Sequence, residues 1–514
     1  VKRERELGMT PVLPAFAGHV PAIIKIKFPK AKVKSLGPWG GFSEKYHANF
    51  LNPFDPLFAD IQRRFLTEQT KAFGTDHVYG IDPFNEVEPP SWEPAYLAKA
   101  SKAIYTSVRK VDKQADWLQM SWMFYIDRKK WTDERIKAFV AAVPKDKMTM
   151  LDYYCEDTEV WKFTNSHYGQ PFIWCYLGNF GGNTMLAGNL AEVESRMENA
   201  LQHAGINLQG IGSTLEGFDV NPVMYDYVFE KAWSDGPVAI PAWIDHWAEM
   251  RGGVADANVK SAWQLLAEKV YNSPAKLGQA TLTNAKPYLA GEPHWTTQPA
   301  TGYRNKDLLR IWELLLKAKD KQNGLWQYDL TNVGRQVLGN HFANLYEHFQ
   351  RCYAQRDISE MQSTADRMLS LLTDVDDLLA GHPSFSLDKW ISEARALGTN
   401  TTEKNFYERN ARTLITTWGG EQRSLNDYAN RSWNGLTKSF YRTRWSLFFK
   451  TVIEAAQKGS AVDETLLRKK INAFEDDWTA RAGLKHDEES KAAEPAQINQ
   501  QLFDKYKQSI LSDE

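Results

Sequence analysis

The chain has 514 residues, a formal net charge of −2 and a sequence pI near 6.7, so it carries no global basic field that would draw nucleic acid or an anionic membrane surface. No apolar run reaches the roughly 18 residues that a membrane-spanning helix needs, and the three cysteines, Cys155, Cys175 and Cys352, are too widely spaced for a disulfide framework or a Cys-based zinc site. The length allows two or three domains, fewer if one is a large barrel.

The opening residues Val1-Lys-Arg-Glu-Arg-Glu-Leu7 read as the end of an amphipathic helix rather than as a signal peptide, so a preceding segment is expected. From about residue 9 to residue 217, short apolar runs alternate with longer amphipathic stretches. The runs are 9–16, 78–87, 117–124, 148–155, 172–177 and 208–215, with helix-like segments such as 91–111 and 190–204 between them. Strand and helix alternating at this spacing predict an α/β domain with a parallel sheet. No Gly-x-Gly-x-x-Gly turn follows the first run, which argues against a dinucleotide-binding sheet. The expected fold is a (β/α)8 TIM-like barrel over residues 1–255, with six strands visible and its first strands missing from this chain. Residues 21–73 would form an elaborated βα loop plus helix on its functional rim.

After about residue 300 the pattern becomes helical only, with amphipathic stretches at 308–316, 333–353, 359–379, 387–397, 403–418, 425–459 and 463–482. Gly381-His-Pro, Gly398-Thr-Asn and Gly419-Gly mark helix ends. An all-α C-terminal domain over residues 256–514, contributing to the cleft, is the expectation.

In a parallel barrel the chemistry sits at the C-terminal ends of the strands, where the βα loops converge over a packed interior. Two glutamates fall there. Phe84-Asn85-Glu86 closes one run ahead of Pro89-Pro90, and Ser213-Thr-Leu-Glu216-Gly217 closes another. Such a pair suits glycosidic cleavage, in which one carboxylic acid protonates the departing oxygen and the other carboxylate attacks the anomeric carbon or activates water. Mutual repulsion and desolvation are the physical means by which such pairs keep one proton near neutral pH. Competing readings accompany it. Glu88 shares strand parity with Glu86 and suits a rim salt bridge. Asp82, one pleat pair deeper, suits a buried hydrogen-bonded role. Asp152 could bind a sugar hydroxyl or pair with a neighbour, His19 could donate to a hydroxyl or be a satisfied loop histidine, and His246 reads as helical packing. No His pair has metal-ligand spacing beside a carboxylate, so no metal and no cofactor are expected. Aromatics make up 13% of the chain; they suit a large core, and they also suit sugar binding, because the C–H face of a pyranose stacks on indole.

Gly8-Met-Thr-Pro-Val-Leu-Pro-Ala-Phe-Ala-Gly-His-Val-Pro21, Phe73-Gly-Thr-Asp-His-Val-Tyr-Gly80, Phe84-Asn-Glu-Val-Glu-Pro-Pro90, Pro171-Phe-Ile-Trp-Cys-Tyr-Leu-Gly-Asn-Phe-Gly-Gly-Asn183 and Glu216-Gly closely resemble glycoside hydrolase family 89, the α-N-acetylglucosaminidases. The likeness continues through Tyr328-Asp-Leu-Thr, Leu425-Asn-Asp-Tyr-Ala-Asn430 and Tyr441-Arg-Thr-Arg-Trp445. It implies exo-hydrolysis of glycans ending in α-linked N-acetylglucosamine, with retention. By matching motif, Glu86 is the acid/base and Glu216 the nucleophile. His19, Asn85, Trp122, Trp174, Asn179 and Tyr225 become sugar contacts, with Trp122 and Trp174 equally suited to packing. In an α-glycoside of this sugar the leaving group and the 2-acetamido group lie on the same ring face, so the acetamido oxygen cannot attack from behind and a carboxylate must. The family also implies an extracytoplasmic location: bacterial periplasm, secretions or the lysosome. The alternatives are an inactive or weakly active glycan-binding fragment of the same family, an inverting or different barrel glycosidase, and a structural protein. The aglycone and the oligomeric state are left open by the sequence.

Overall fold

The computed structural model describes residues 1–217, 221–234, 236, 238–273, 280–289, 294–297, 301–419, 422–483 and 494–512. The chain forms two compact units. The first comprises Val1–Leu177, Val193–Thr214 and Val228–Pro237; the second comprises Gly178–Glu192, Leu215–Tyr227 and Val238–Glu514.

Among the described residues nine strands follow one another in the first unit: β1 Leu13–Pro14, β2 His19–Val20, β3 Val33–Ser35, β4 Asn49–Leu51, β5 Val78–Gly80, β6 Asp116–Met120, β7 Met148–Asp152, β8 Phe172–Tyr176 and β9 Leu208–Ser213. Six of them form one sheet in the order β1-β5-β6-β7-β8-β9, every neighbouring pair parallel. Spatial order thus follows chain order without reversal. That is the progression of a barrel wall, whereas a doubly wound sheet reverses at a switch point. The six strands coincide with the six apolar runs, β6 starting one residue earlier at Asp116. Crossovers are helical: Pro94–Arg109 joins β5 to β6, Asp133–Ala141 lies between β6 and β7, and Leu190–His203 between β8 and β9. The Pro94–Arg109 helix starts on a proline, whose missing N–H costs nothing in a first turn. It buries Leu97, Ala100, Ile104 and Val108, a stripe at three- and four-residue spacing that removes about 1.5–3 kcal/mol worth of apolar surface per large side chain from water.

Residues 21–73 form the elaborated loop that was expected. β2, β4 and β3 pair antiparallel in that order, and the helix Pro56–Phe73 follows, capped by Asp55, whose carboxylate accepts from the Leu57 amide.

One difference from the sequence reading affects the site. The run 78–87 supplies only three strand residues, Val78–Gly80. Pro83 has no N–H to donate to a ladder, and Glu86 adopts a positive φ of 53°, so the chain leaves the sheet early. Asp82, Glu86 and Glu88 therefore do not alternate along a pleat, and Glu86 stands in a turn six positions beyond the strand.

The second unit is helical. Its helices include Ile240–Gly252, Ala257–Leu265, Asn305–Leu316, Gly324–Gln355, Ile358–Leu379, Leu387–Ala396, Thr401–Leu414, Arg442–Gln457, Glu464–Ala480 and Pro495–Ser512. Gly324–Gln355 is buried on every side from Tyr328 to Ala343, which makes it the core helix of the unit. His246 lies on a helix but is exposed; Ile244 and Trp247 do the packing there. The stretch 425–459 is not one helix, as its periodicity suggests. Residues 425–435 are turns and irregular backbone, and helix begins only at Leu436. Asp427 has a φ of 61°, its amide donates to the Thr416 carbonyl at 2.6 Å, and its carboxylate is gripped by the buried Arg444 at 2.9 and 3.1 Å. Those contacts override the local helical pattern. All three cysteines are buried free thiols. Of two glycosylation sequons, Asn400-Thr-Thr and Asn430-Arg-Ser, the second starts on a wholly buried asparagine.

Candidate active site

Glu86, in the first unit, is held by two indoles. Trp122 Nε1 donates to Oε1 at 2.7 Å, and Trp39 Nε1 donates to Oε2. Trp122 opens the short helix that follows β6, with its ring against Tyr125 and Tyr153 at 5.0 and 5.3 Å. Trp39 comes from the loop after β3. An indole N–H donates only, so both contacts orient the carboxyl group without being able to take its proton.

The turn carrying Glu86 is anchored at its base. The Ile81 amide donates to the Leu118 carbonyl at 3.1 Å, and Trp117 Nε1 donates to the Ile81 carbonyl at 2.7 Å. Asp82 Oδ1 accepts from the Met120 amide at 3.3 Å and from Gln119 Nε2. Burial pushes the Asp82 carboxyl up to about 7, against the downward pull of those two bonds. Desolvation holds the His19 imidazole below its usual value, opposed by the nearby backbone of Pro83 and Asp82. Asn85 Oδ1 is buried without a hydrogen-bond partner, an open acceptor beside Glu86.

Glu216, in the second unit, lies three residues after β9. Two donors converge on one of its oxygens: the Gly181 amide donates to Oε2 at 2.7 Å, and Tyr428 Oη donates to the same atom. Gly181 and Gly182 both have positive φ, 63° and 72°. A Cβ on Gly181 would lie 2.0 Å from the Tyr428 carbonyl oxygen, and one on Gly182 would lie 2.5 Å from Arg431 Nη2 and 2.9 Å from Gly217 Cα. Only glycine fits this approach. Arg431 Nη1 ties the pieces together, donating to the carbonyls of Gly181 at 2.6 Å, Ala429 at 2.9 Å and Asn430 at 3.0 Å. Tyr428 packs edge-on against Trp418 at 5.1 Å, and Trp418 itself carries a φ of 53°. A cavity of about 760 Å³ opens here within the second unit, lined by Glu216, Tyr428, Trp418, Trp390 and Trp433 among others.

Of the remaining sequence candidates, Asn179 and Tyr225 are both buried and meet each other, Nδ2 donating to Oη at 3.5 Å; Asn179 Oδ1 has no partner. Trp174 is wholly buried, with its N–H on Glu159 Oε1 at 3.3 Å, which matches its packing alternative. Asp152 is also wholly buried. It accepts from the amides of Val160 and Trp161 at 3.0 and 2.8 Å and contacts His167 at 3.2 Å, so it pairs with neighbours. Glu88 takes the rim role, paired with Lys130. Sequence reasoning missed Trp39, Gly181, Tyr428 and Arg431. The Gly181-Gly182 pair was a visible signal of close backbone approach. Tyr428 and Arg431 were concealed in a segment with helical periodicity, and Trp39 in a long loop.

Comparison with known proteins adds a second line of observation. The chain matches two family models, the α-N-acetylglucosaminidase TIM-barrel domain over residues 1–235 and the α-N-acetylglucosaminidase C-terminal domain over residues 243–505. It is 36% identical over 476 residues to α-N-acetylglucosaminidase of Homo sapiens, a match covering 92% of this chain and 64% of the human one. Among solved structures it resembles a family 89 glycoside hydrolase from Clostridium perfringens in complex with 2-acetamido-1,2-dideoxynojirimycin, with a TM-score of 0.87, 23% identity, and coverage of 98% of this chain and 57% of that one. A Clostridium perfringens family 89 protein with two glutamate-to-glutamine substitutions, in complex with its substrate GlcNAc-α-1,4-galactose, gives a TM-score of 0.87 at 23% identity over 99% of this chain and 58% of that one. At that identity the structural likeness is one of fold. The chain spans less than two thirds of the length of each of these relatives.

Proposed function

The chain belongs to glycoside hydrolase family 89, the α-N-acetylglucosaminidases, and on that premise we propose that it releases terminal α-linked N-acetylglucosamine from glycans by a two-carboxylate double displacement. The observation that carries the reading is the way Glu86 and Glu216 are held. Each is oriented by N–H or O–H donors, and among the described residues neither forms an ion pair with a lysine or arginine. Both glutamates are exposed, so substrate and water can reach their carboxyl groups. These two keep their carboxyl groups available for proton transfer and for attack.

Glu86, in its acid form, gives its proton to the glycosidic oxygen as the bond to the anomeric carbon breaks. Glu216 attacks that carbon from the opposite face, forming a glycosyl ester. Both donors to Glu216 engage Oε2, so Oε1 is the attacking atom, and the Tyr428 and Gly181 donors stabilise the carboxylate that departs in the second step. Glu86, now a carboxylate, takes a proton from the water that attacks the anomeric carbon and breaks its bond to Glu216, and the sugar leaves with its configuration retained. The 2-acetamido group lies on the leaving group's face and cannot replace Glu216. His19 acts by steadying the Glu86 turn, while Asn85, Asn179 and Tyr225 supply polar contacts to the sugar. An extracytoplasmic location, in periplasm, secretions or lysosome, follows from the family; among the described residues no helix is long and apolar enough to cross a membrane.

Proton NMR of the first sugar released from an aryl α-N-acetylglucosaminide tests the reading. The α-anomer should appear before mutarotation. A β-anomer would overturn the double displacement, and no release would favour a glycan-binding role.

A further inference from the structure

Trp39 has a second consequence for substrate choice, which rests on the acid role of Glu86. A general acid meets the substrate at the glycosidic oxygen, the atom joining the terminal sugar to its leaving group. Protein surface flanking the acid's carboxyl group therefore touches the leaving-group side. Two indoles flank Glu86, and they differ. Trp122 is only 9% exposed, with its ring packed on Tyr125 and Tyr153. Trp39 is 43% exposed and stacks on Phe42 at 5.9 Å and an interplanar angle of 14°. A lone exposed tryptophan needs no explanation, but this one donates its N–H to the Glu86 carboxyl and is thereby fixed beside the reacting oxygen.

We propose that Trp39 is a specificity-determining residue, a platform on which the C–H face of a pyranose leaving group stacks, so that the preferred substrates are α-N-acetylglucosaminides of another sugar. The hydrogen bond to Glu86 sets the ring's position, and the Phe42 stack backs it. The two indoles divide the work, Trp122 orienting the acid from the buried side and Trp39 presenting it to the leaving sugar.

The test compares two substrates in the wild-type chain, Trp39→Ala and Trp39→Phe. One is GlcNAc-α-1,4-galactose, whose leaving group is a sugar ring. The other is α-N-acetylglucosaminyl fluoride, whose leaving group has no ring. Trp39→Ala removes both the ring face and one donor to Glu86, so kcat should fall on either substrate, while KM should rise about tenfold for the disaccharide, the effect of one lost aromatic stacking contact, and less than about threefold for the fluoride. Trp39→Phe, which keeps a ring backed by Phe42 but removes the N–H donor, should lower kcat while holding KM for the disaccharide within about threefold of wild type. An equal change in KM for both substrates in Trp39→Ala, or a rise in the disaccharide KM in Trp39→Phe as large as that in Trp39→Ala, would overturn the proposal. Melting temperatures of the variants verify that each is folded. Wild-type protein that turned over neither substrate would instead overturn the proposed function, an outcome distinct from both.

Discussion

Tyr428 donates its phenol hydroxyl to Oε2 of Glu216, the oxygen that also accepts from the Gly181 amide. A carboxylate gripped through one oxygen is oriented about its own axis and presents the other. Replacing Tyr428 by phenylalanine removes one of two donors and leaves the ring in place. A hydrogen bond to a charged group contributes about 1.5–3 kcal/mol, so Tyr428→Phe should lower kcat about 10- to 100-fold, with KM nearly unchanged and the melting temperature within a few degrees of wild type. Steady-state kinetics on an aryl α-N-acetylglucosaminide measure it. Unchanged kcat would remove Tyr428 from the mechanism.

Gly181→Ala should do more. The added Cβ meets the Tyr428 carbonyl oxygen at 2.0 Å, and that atom is backbone, which cannot swing aside. The positive φ adds about 1 kcal/mol or more of strain for a residue with a side chain. Since Arg431 binds the Gly181 carbonyl, displacing the loop also disturbs the segment that carries Tyr428. Loss of activity beyond that of Tyr428→Phe is expected, together with a lower melting temperature. Activity comparable to wild type would mean that the Gly181 amide does not hold Glu216.

Asp82 gives the fold a pH dependence of definite sign. Its folded value, about 7, lies above the ordinary 3.8, so the native state holds this proton after the unfolded chain has lost it. The associated stability is fully present below about pH 4 and declines as pH rises towards about 7, by at most about 4 kcal/mol and by less to the extent that water reaches the carboxyl. Asp82→Asn cannot ionise. The variant should match wild type near pH 4 and exceed it in melting temperature above about pH 7. Parallel wild-type and variant curves across that range would show that Asp82 does not carry its proton into the native state.

Much of this arrangement was legible in the sequence. Six apolar runs marked six parallel strands, and Glu86 and Glu216 do lie beyond two of them; the roles proposed for the two glutamates rest on the motifs around them. The exit from the sheet at Gly80 was missed: Ile81 and Phe84 continue the apolar run, but the Asp82-Pro83 step between them was the available sign of a break, and the backbone at Glu86 shows the turn. Tyr428 and Arg431 were hidden for a related reason. Local periodicity favours helix through residues 425–436, but the grip of Arg444 on Asp427 is made across 17 residues and prevails over it. Trp39 escaped notice since a long loop gives no period from which its hydrogen bond to Glu86 could be inferred.

The central claim assigns attack to Glu216 and proton transfer to Glu86, and the anomeric configuration of azide adducts tests it most directly. Glu216→Ala, given an activated aryl α-N-acetylglucosaminide and sodium azide, should regain turnover and yield the β-glycosyl azide, because azide enters from the face that the nucleophile vacates. Glu86→Ala under the same conditions should yield the α-glycosyl azide, formed when azide opens the covalent intermediate. The opposite pairing of variant and anomer, or an unimpaired Glu216→Ala enzyme, would contradict the assignment.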